Sequence, residues 1–196
     1  MTDLPALIIP ILVTGVAMFI LSFLFWVVFP HHKPDVKFCP EQEGLMKAVK
    51  DLGIKPGNYM FPCTADPKDW KSEEHTALND AGPWGSLNMW PAKPNMGKNM
   101  ALTFIAFLAV TVLVGYLTGL SRAPGAEFIE VFRVAGAAAI AVYVLGGLSN
   151  AIWFGKSTRF IITDMIDGVV YAVVTGAIFG FMWPALSSGA PVVPGT

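Results

Sequence analysis

Four long stretches of this chain carry almost no charge, and no other feature constrains its fold as strongly. Pro5 to Phe29 is 25 residues without one charged side chain. Asn99 to Leu120 is a second such run, and Phe128 to Phe154 a third, interrupted near its start by Glu130 and Arg133. Phe160 to Pro184 is the fourth, with Asp164 and Asp167 in its opening turns. A helix needs about 20 apolar residues to cross a hydrocarbon core of about 30 Å. In lipid every backbone N–H and C=O must be bonded within the protein, which leaves only helices and closed barrels. These lengths fit helices, and the alternating segments of about ten residues that build a barrel are not seen. The chain reads as an all-α membrane protein with four transmembrane helices.

Composition agrees and excludes other classes. Hydrophobic residues make up 54% of the 196 and charged residues 14%, against about 25% charge in a soluble domain. A net charge of −1 supplies no basic field for nucleic acid, which is not expected as a partner. Cys39 and Cys63 lie in no CxxC or zinc-type spacing, and no metal site is expected. There is no P-loop, GxSxG, HExxH or Gly-rich dinucleotide fingerprint, so the expectation is a protein that is not an enzyme. The first span is not read as a cleaved signal. Only Asp3 precedes it among charged residues, its apolar stretch exceeds a signal's core, and no A-x-A site follows.

The spans divide the chain into residues 1–30, the first helix; 31–98, a loop domain; and 99–196, three helices with a short outer C-terminal tail. Nine lysines fall between Lys33 and Lys98, and the third loop adds Lys156 and Arg159. The opposite side has only Arg122 and Arg133. The Lys/Arg bias places the large loop in the cytoplasm and both termini outside. Both cysteines would then meet a reducing compartment as free thiols.

The 68-residue loop is expected to be folded. Pro40 to Leu52 reads as a short amphipathic helix with Leu45, Met46, Val49 and Leu52 on one face and Gly53 as its stop. Gly57 to Pro62 and Gly85 to Pro91 each open with Gly and close with Pro, suggesting a hairpin-like strand pair. Lys71 to Asp80 is polar enough for an exposed helical turn. So small a unit buries little core. The loop is therefore expected against the bilayer surface, with Trp70, Trp84 and Trp90 as interfacial anchors beside Phe61.

Within the spans, Gly168, Ala172, Gly176 and Gly180 recur every four residues, and the third span offers Ala135, Gly136, Ala139, Gly146 and Gly147 as a matching surface. Small residues let helix backbones approach in lipid, within the chain or against a partner. Asp164, Asp167 and Tyr171 share a helical face, and intramembrane carboxylates can hold a proton or cation. Their place in the first two turns, near Lys156 and Arg159, favours a structural role. Glu127, Glu130 and Arg133 are expected to form an ion pair anchoring the third span, and Asn150 to bond a neighbouring helix. His31 and His32 follow the first span directly and are the candidate cofactor ligands, although a solvated interfacial pair is the commoner arrangement.

From about Pro56 to Pro184 the chain resembles a group of bacterial inner-membrane proteins with four helices and no established activity. The resemblance is carried by Pro56-Gly57-Asn58-Tyr59-Met60-Phe61-Pro62, Gly82-Pro83-Trp84-Gly85, Ala123-Pro124-Gly125-Ala126, Val131-Phe132-Arg133, Ile152-Trp153-Phe154-Gly155-Lys156 and Asp167-Gly168-Val169-Val170-Tyr171-Ala172. It implies a multi-pass protein of a bacterial inner membrane and carries over no functional residue. The leading expectation is a non-catalytic accessory or structural subunit of a larger complex of respiratory or photosynthetic type, in contact with membrane lipids and other subunits. No cofactor is predicted. The alternatives are a protein that binds a lipid, quinone or pigment between its helices, and a proton or ion carrier using Asp164 and Asp167.

Overall fold

In the computed structural model, which describes residues 1–186, the chain is mostly helical with one small sheet. Four helices are long and apolar enough to span a membrane: α1 (Leu4–Val28), α4 (Met96–Ser121), α5 (Phe128–Trp153) and α6 (Thr158–Phe181). Two shorter helices, α2 (Gln42–Asp51) and α3 (Glu73–Ala81), lie in the loop with strands β1 (Gly57–Phe61) and β2 (Gly85–Met89). The strands pair antiparallel, from Gly57 opposite Met89 to Phe61 opposite Gly85. The outer C-terminal tail lies outside the described residues beyond Leu186.

Local chemistry accounts for the helix ends. Ser72, Asn95 and Ser157 cap α3, α4 and α6, each side-chain oxygen accepting a backbone N–H three residues on. Gly53 ends α2 and Gly155 ends α5, both with φ of +64°, a left-handed conformation cheap only for glycine. Each closes a double bond pattern, with Ile54 N–H donating to Val49 O at 3.2 Å and Lys156 N–H to Ala151 O at 3.0 Å. Gly155 and the Ser157 cap together reverse the chain between α5 and α6 within a few residues.

The long helices touch in a ring: α5 with α6 most extensively, then α1 with α4, α4 with α5, and α1 with α6. Gly168, Gly176 and Gly180 lie in the α5–α6 contact. A Cβ on Gly168 would stand 2.5 Å from Tyr143 O, one on Gly176 2.9 Å from Phe132 O, and one on Gly180 2.6 Å from the Phe128 ring. Ala172, Ala135 and Ala139 are buried in the same core. Gly146 and Gly147 are exposed, and Gly147 has open space around it, so the matching surface on α5 is shorter than the sequence suggests.

Two widened turns interrupt the long helices. Leu24–Val28, at the end of α1, and Ala141–Leu145, within α5, are π-helical. Such turns displace side chains by one position and collect at functional sites. The one in α5 carries the Tyr143 carbonyl that fits against Gly168. The apolar core of Leu7, Ile11, Val114, Val131 and Phe179 fills the end of the bundle where α1 begins. Polar groups gather at the other end, where the loop leaves.

A histidine and aspartate centre at the root of the loop

Phe29 leaves α1 in extended conformation, and Pro30 opens a 3-10 turn, Pro30–Asp35, that bends the chain back towards α6. A proline at that position is pre-set for such a turn. The turn brings His31, His32 and Asp35 against Asp167, two turns into α6. His31 Nε2 lies 3.0 Å from Asp167 Oδ1, and His32 Nε2 lies 2.8 Å from Asp167 Oδ2. His32 Nδ1 is 2.7 Å from Asp35 Oδ2. Arg159 completes the chain, donating through Nη1 to the other oxygen of Asp35 and through Nη2 to His31 O at 2.9 Å.

Burial is graded across this set. The side chains of His32, Asp167 and Asp35 are 3%, 4% and 0% exposed, whereas His31 is 33% exposed. Aromatic rings fix the orientations. Trp26 stacks on the His32 ring with centroids 3.9 Å apart and planes at 6°. Phe25 meets the His31 ring edge-on at 5.4 Å and stacks on Tyr171 at 5.6 Å.

An ionised carboxylate only accepts hydrogen bonds, so an imidazole nitrogen facing one must carry a proton. Both His32 nitrogens face carboxylates, and ionised partners on both sides favour the imidazolium form. Burial opposes that charge, but the hydrogen bonds and charges of Asp167 and Asp35 outweigh it and hold His32 above the ordinary imidazole value. Two carboxylates thus face two imidazoles and one guanidinium, with His31 as the partly exposed member. The centre joins the root of the loop to α6.

The structure separates Asp164 from Asp167. Asp164 is exposed and makes no side-chain hydrogen bond among the described residues, while Asp167 points inward. Three residues span about 300° of helix, so two positions on one broad face can fall on opposite sides of a helix–helix contact. Arg159 is drawn to Asp35, and Lys156 lies over the Phe160 ring at 5.1 Å, so neither pairs with the α6 aspartates. The expected ion pair among Glu127, Glu130 and Arg133 does not form. All three are exposed on the outward face of α5, whose inward face is Val131, Ala135 and Ala139. Asn150 is exposed too. It bonds no neighbouring helix and instead lines, with Phe154, Lys156, Tyr59 and Leu87, a cleft of about 450 Å³ beneath the hairpin.

The histidine pair is not the solvated pair that its position suggests, because His32 is buried between two carboxylates. Asp35 and Trp26 were not singled out in the sequence. The available signal was the proline-framed run Pro30-His31-His32-Lys33-Pro34-Asp35, which places a carboxylate three residues from His32. In the loop, Lys71 to Asp80 runs from the last residue of a 3-10 turn, Pro67–Lys71, through most of α3, with His75 buried at 5.4 Å from the Trp70 ring. Trp84 and Trp90 remain 67% and 63% exposed. Compared with protein-family models, curated proteins and solved structures, the chain finds no match.

Proposed function

We propose that this protein is a non-catalytic accessory subunit of a larger membrane protein complex, joined to it through its loop. The observation that carries this reading is the apolar surface of the loop. Trp70, Trp84, Trp90 and Phe38 are exposed, as are Met46 on α2 and Leu52 just after it, although none of them lies in a membrane-length helix. Soluble surfaces rarely leave large contiguous apolar patches open, and those they leave mark interaction sites. Leu45, Met46 and Val49 of α2 and Leu87 and Met89 of β2 line an open groove of about 510 Å³. Such a groove fits an apolar segment of a neighbouring subunit.

The His–Asp–Arg centre has a matching role, holding the loop at a fixed place relative to α6. In this reading the four helices lie in a bacterial inner membrane with the loop on the cytoplasmic side, as the lysine distribution favours. The test is extraction of native membranes in a mild detergent and separation of intact complexes by size. The protein is expected in a stoichiometric assembly, from which a Trp84→Ser, Trp90→Ser variant is released. Recovery of the unaltered protein alone, with its loop tryptophans inserted in lipid headgroups, would replace the subunit reading with simple membrane adsorption.

A further inference from the structure

We propose that His31, His32 and Asp167 form a binding site for one divalent first-row transition metal ion. Their three ligand atoms all lie within 4.8 Å of one another. On a tetrahedral ion with bonds of about 2.0–2.1 Å, neighbouring ligands stand roughly 3.3 Å apart. Each imidazole already faces the carboxylate, His31 Nε2 at 3.0 Å from Asp167 Oδ1 and His32 Nε2 at 2.8 Å from Asp167 Oδ2. To take the ion, the two imidazole nitrogens and one oxygen of Asp167, now within 4.8 Å of one another, would draw in around a common point.

The groups behind the ligands argue as strongly as the ligands. Metal-bound histidines donate their second ring N–H to a carboxylate or carbonyl, which fixes the tautomer and makes the ligand more basic. His32 has that partner, since its Nδ1 lies 2.7 Å from Asp35, and Arg159 orients Asp35 in turn. The Trp26 stack prevents the ring from turning away. A pair of histidines used only as a clamp would not need a third layer holding the second.

Ligand chemistry narrows the ion. Two imidazoles and one carboxylate suit zinc, iron(II) and their first-row neighbours, whereas calcium and magnesium prefer all-oxygen sets and monovalent copper prefers sulfur. On binding, each imidazole presents its Nε2 lone pair: a proton on His32 Nε2 leaves to water while its Nδ1 proton stays on the ring and is donated to Asp35, and the His31 proton moves from Nε2 to Nδ1. Asp167 exchanges two accepted hydrogen bonds for a metal bond. Three protein ligands would leave a coordination position for water or a further small molecule, and His31 is the partly exposed member of the set.

The experiment uses the untagged full chain in detergent, stripped by chelator and alkylated at Cys39 and Cys63, whose exposed thiols would otherwise compete. Cobalt(II) is titrated while its visible d–d bands are followed, and zinc(II) is then added to displace it. One ion per chain with a tetrahedral or five-coordinate spectrum is expected. His31→Ala should weaken binding by at least about 100-fold and Asp35→Asn by about 10–100-fold, while Lys33→Ala leaves it unchanged. His31 is partly exposed, so the metal-free His31→Ala variant should melt near the unaltered protein, which separates ligand loss from misfolding. Absence of saturable 1:1 binding in the unaltered chain overturns the proposal, and so does equal affinity in the His31→Ala variant.

Discussion

At the scale of single residues, Asp164 and Asp167 show how three positions decide a side chain's energetics. Asp167 is buried with an imidazole facing each of its two oxygens. Removing one partner of a buried pair leaves the other charge uncompensated and costs about 3–5 kcal/mol. Asp167→Asn is expected near the lower limit, about 3 kcal/mol, because the amide oxygen still accepts one bond. Asp164 has no such partner among the described residues, so Asp164→Asn should change stability by no more than about 0.5 kcal/mol. Denaturation of the chelator-treated protein in detergent compares the two. Similar losses in both variants would show that the two carboxylates act as one unit, as a carrier using both would need. Sequence spacing placed them on one face but could not set that face's angle to a neighbour. Asp167's partner His32 lies 135 residues away, a contact that exists only once α1 and α6 have packed.

At the scale of elements, hydropathy and punctuation by Gly, Pro and Ser made most of the fold readable. The four spans, α2 with its Gly53 stop, and the two strands all follow from local pattern, because lipid and backbone geometry leave few other solutions. The π-turns did not announce themselves, since they arise from how α1 and α5 accommodate their neighbours. They also decide which glycines matter. Gly168→Ala would place a methyl 2.5 Å from the Tyr143 carbonyl, within the widened turn of α5. Backbone must move, and overpacking of this kind costs about 1–3 kcal/mol. Gly147→Ala meets nothing within 4 Å and should be neutral or stabilise by up to about 1 kcal/mol, by reducing the freedom of the unfolded chain. Melting temperatures in one detergent distinguish the pair. Equal melting of both variants would mean that α5 and α6 approach less closely at Gly168 than at Gly176 and Gly180.

At the scale of the whole molecule, the contacts at the loop root tie the loop to one end of the bundle. Arg159 joins the start of α6 to Asp35 and the His31 carbonyl, and the hairpin shares a cleft with Asn150, Phe154 and Lys156. The loop and the α5–α6 turn must therefore share one side of any membrane that the four helices cross, whichever way the bundle is inserted. The proposed orientation rests on charge: nine lysines plus Lys156 and Arg159 stand at this end, against Arg122 and Arg133 at the other. Cys39 and Cys63 are exposed and report on it directly. A membrane-impermeant maleimide should leave both unlabelled in intact cells and label them in inverted vesicles. In a background with both cysteines replaced by Ser, Ser157→Cys should follow the same pattern, and Ala123→Cys, at the far end of α4, the opposite one. Labelling of Cys63 in intact cells would invert the orientation while preserving the fold. Labelling of Ser157→Cys and Cys63 from opposite sides would break the link between loop and bundle, and with it the clamp, the shared cleft and the four-span arrangement together.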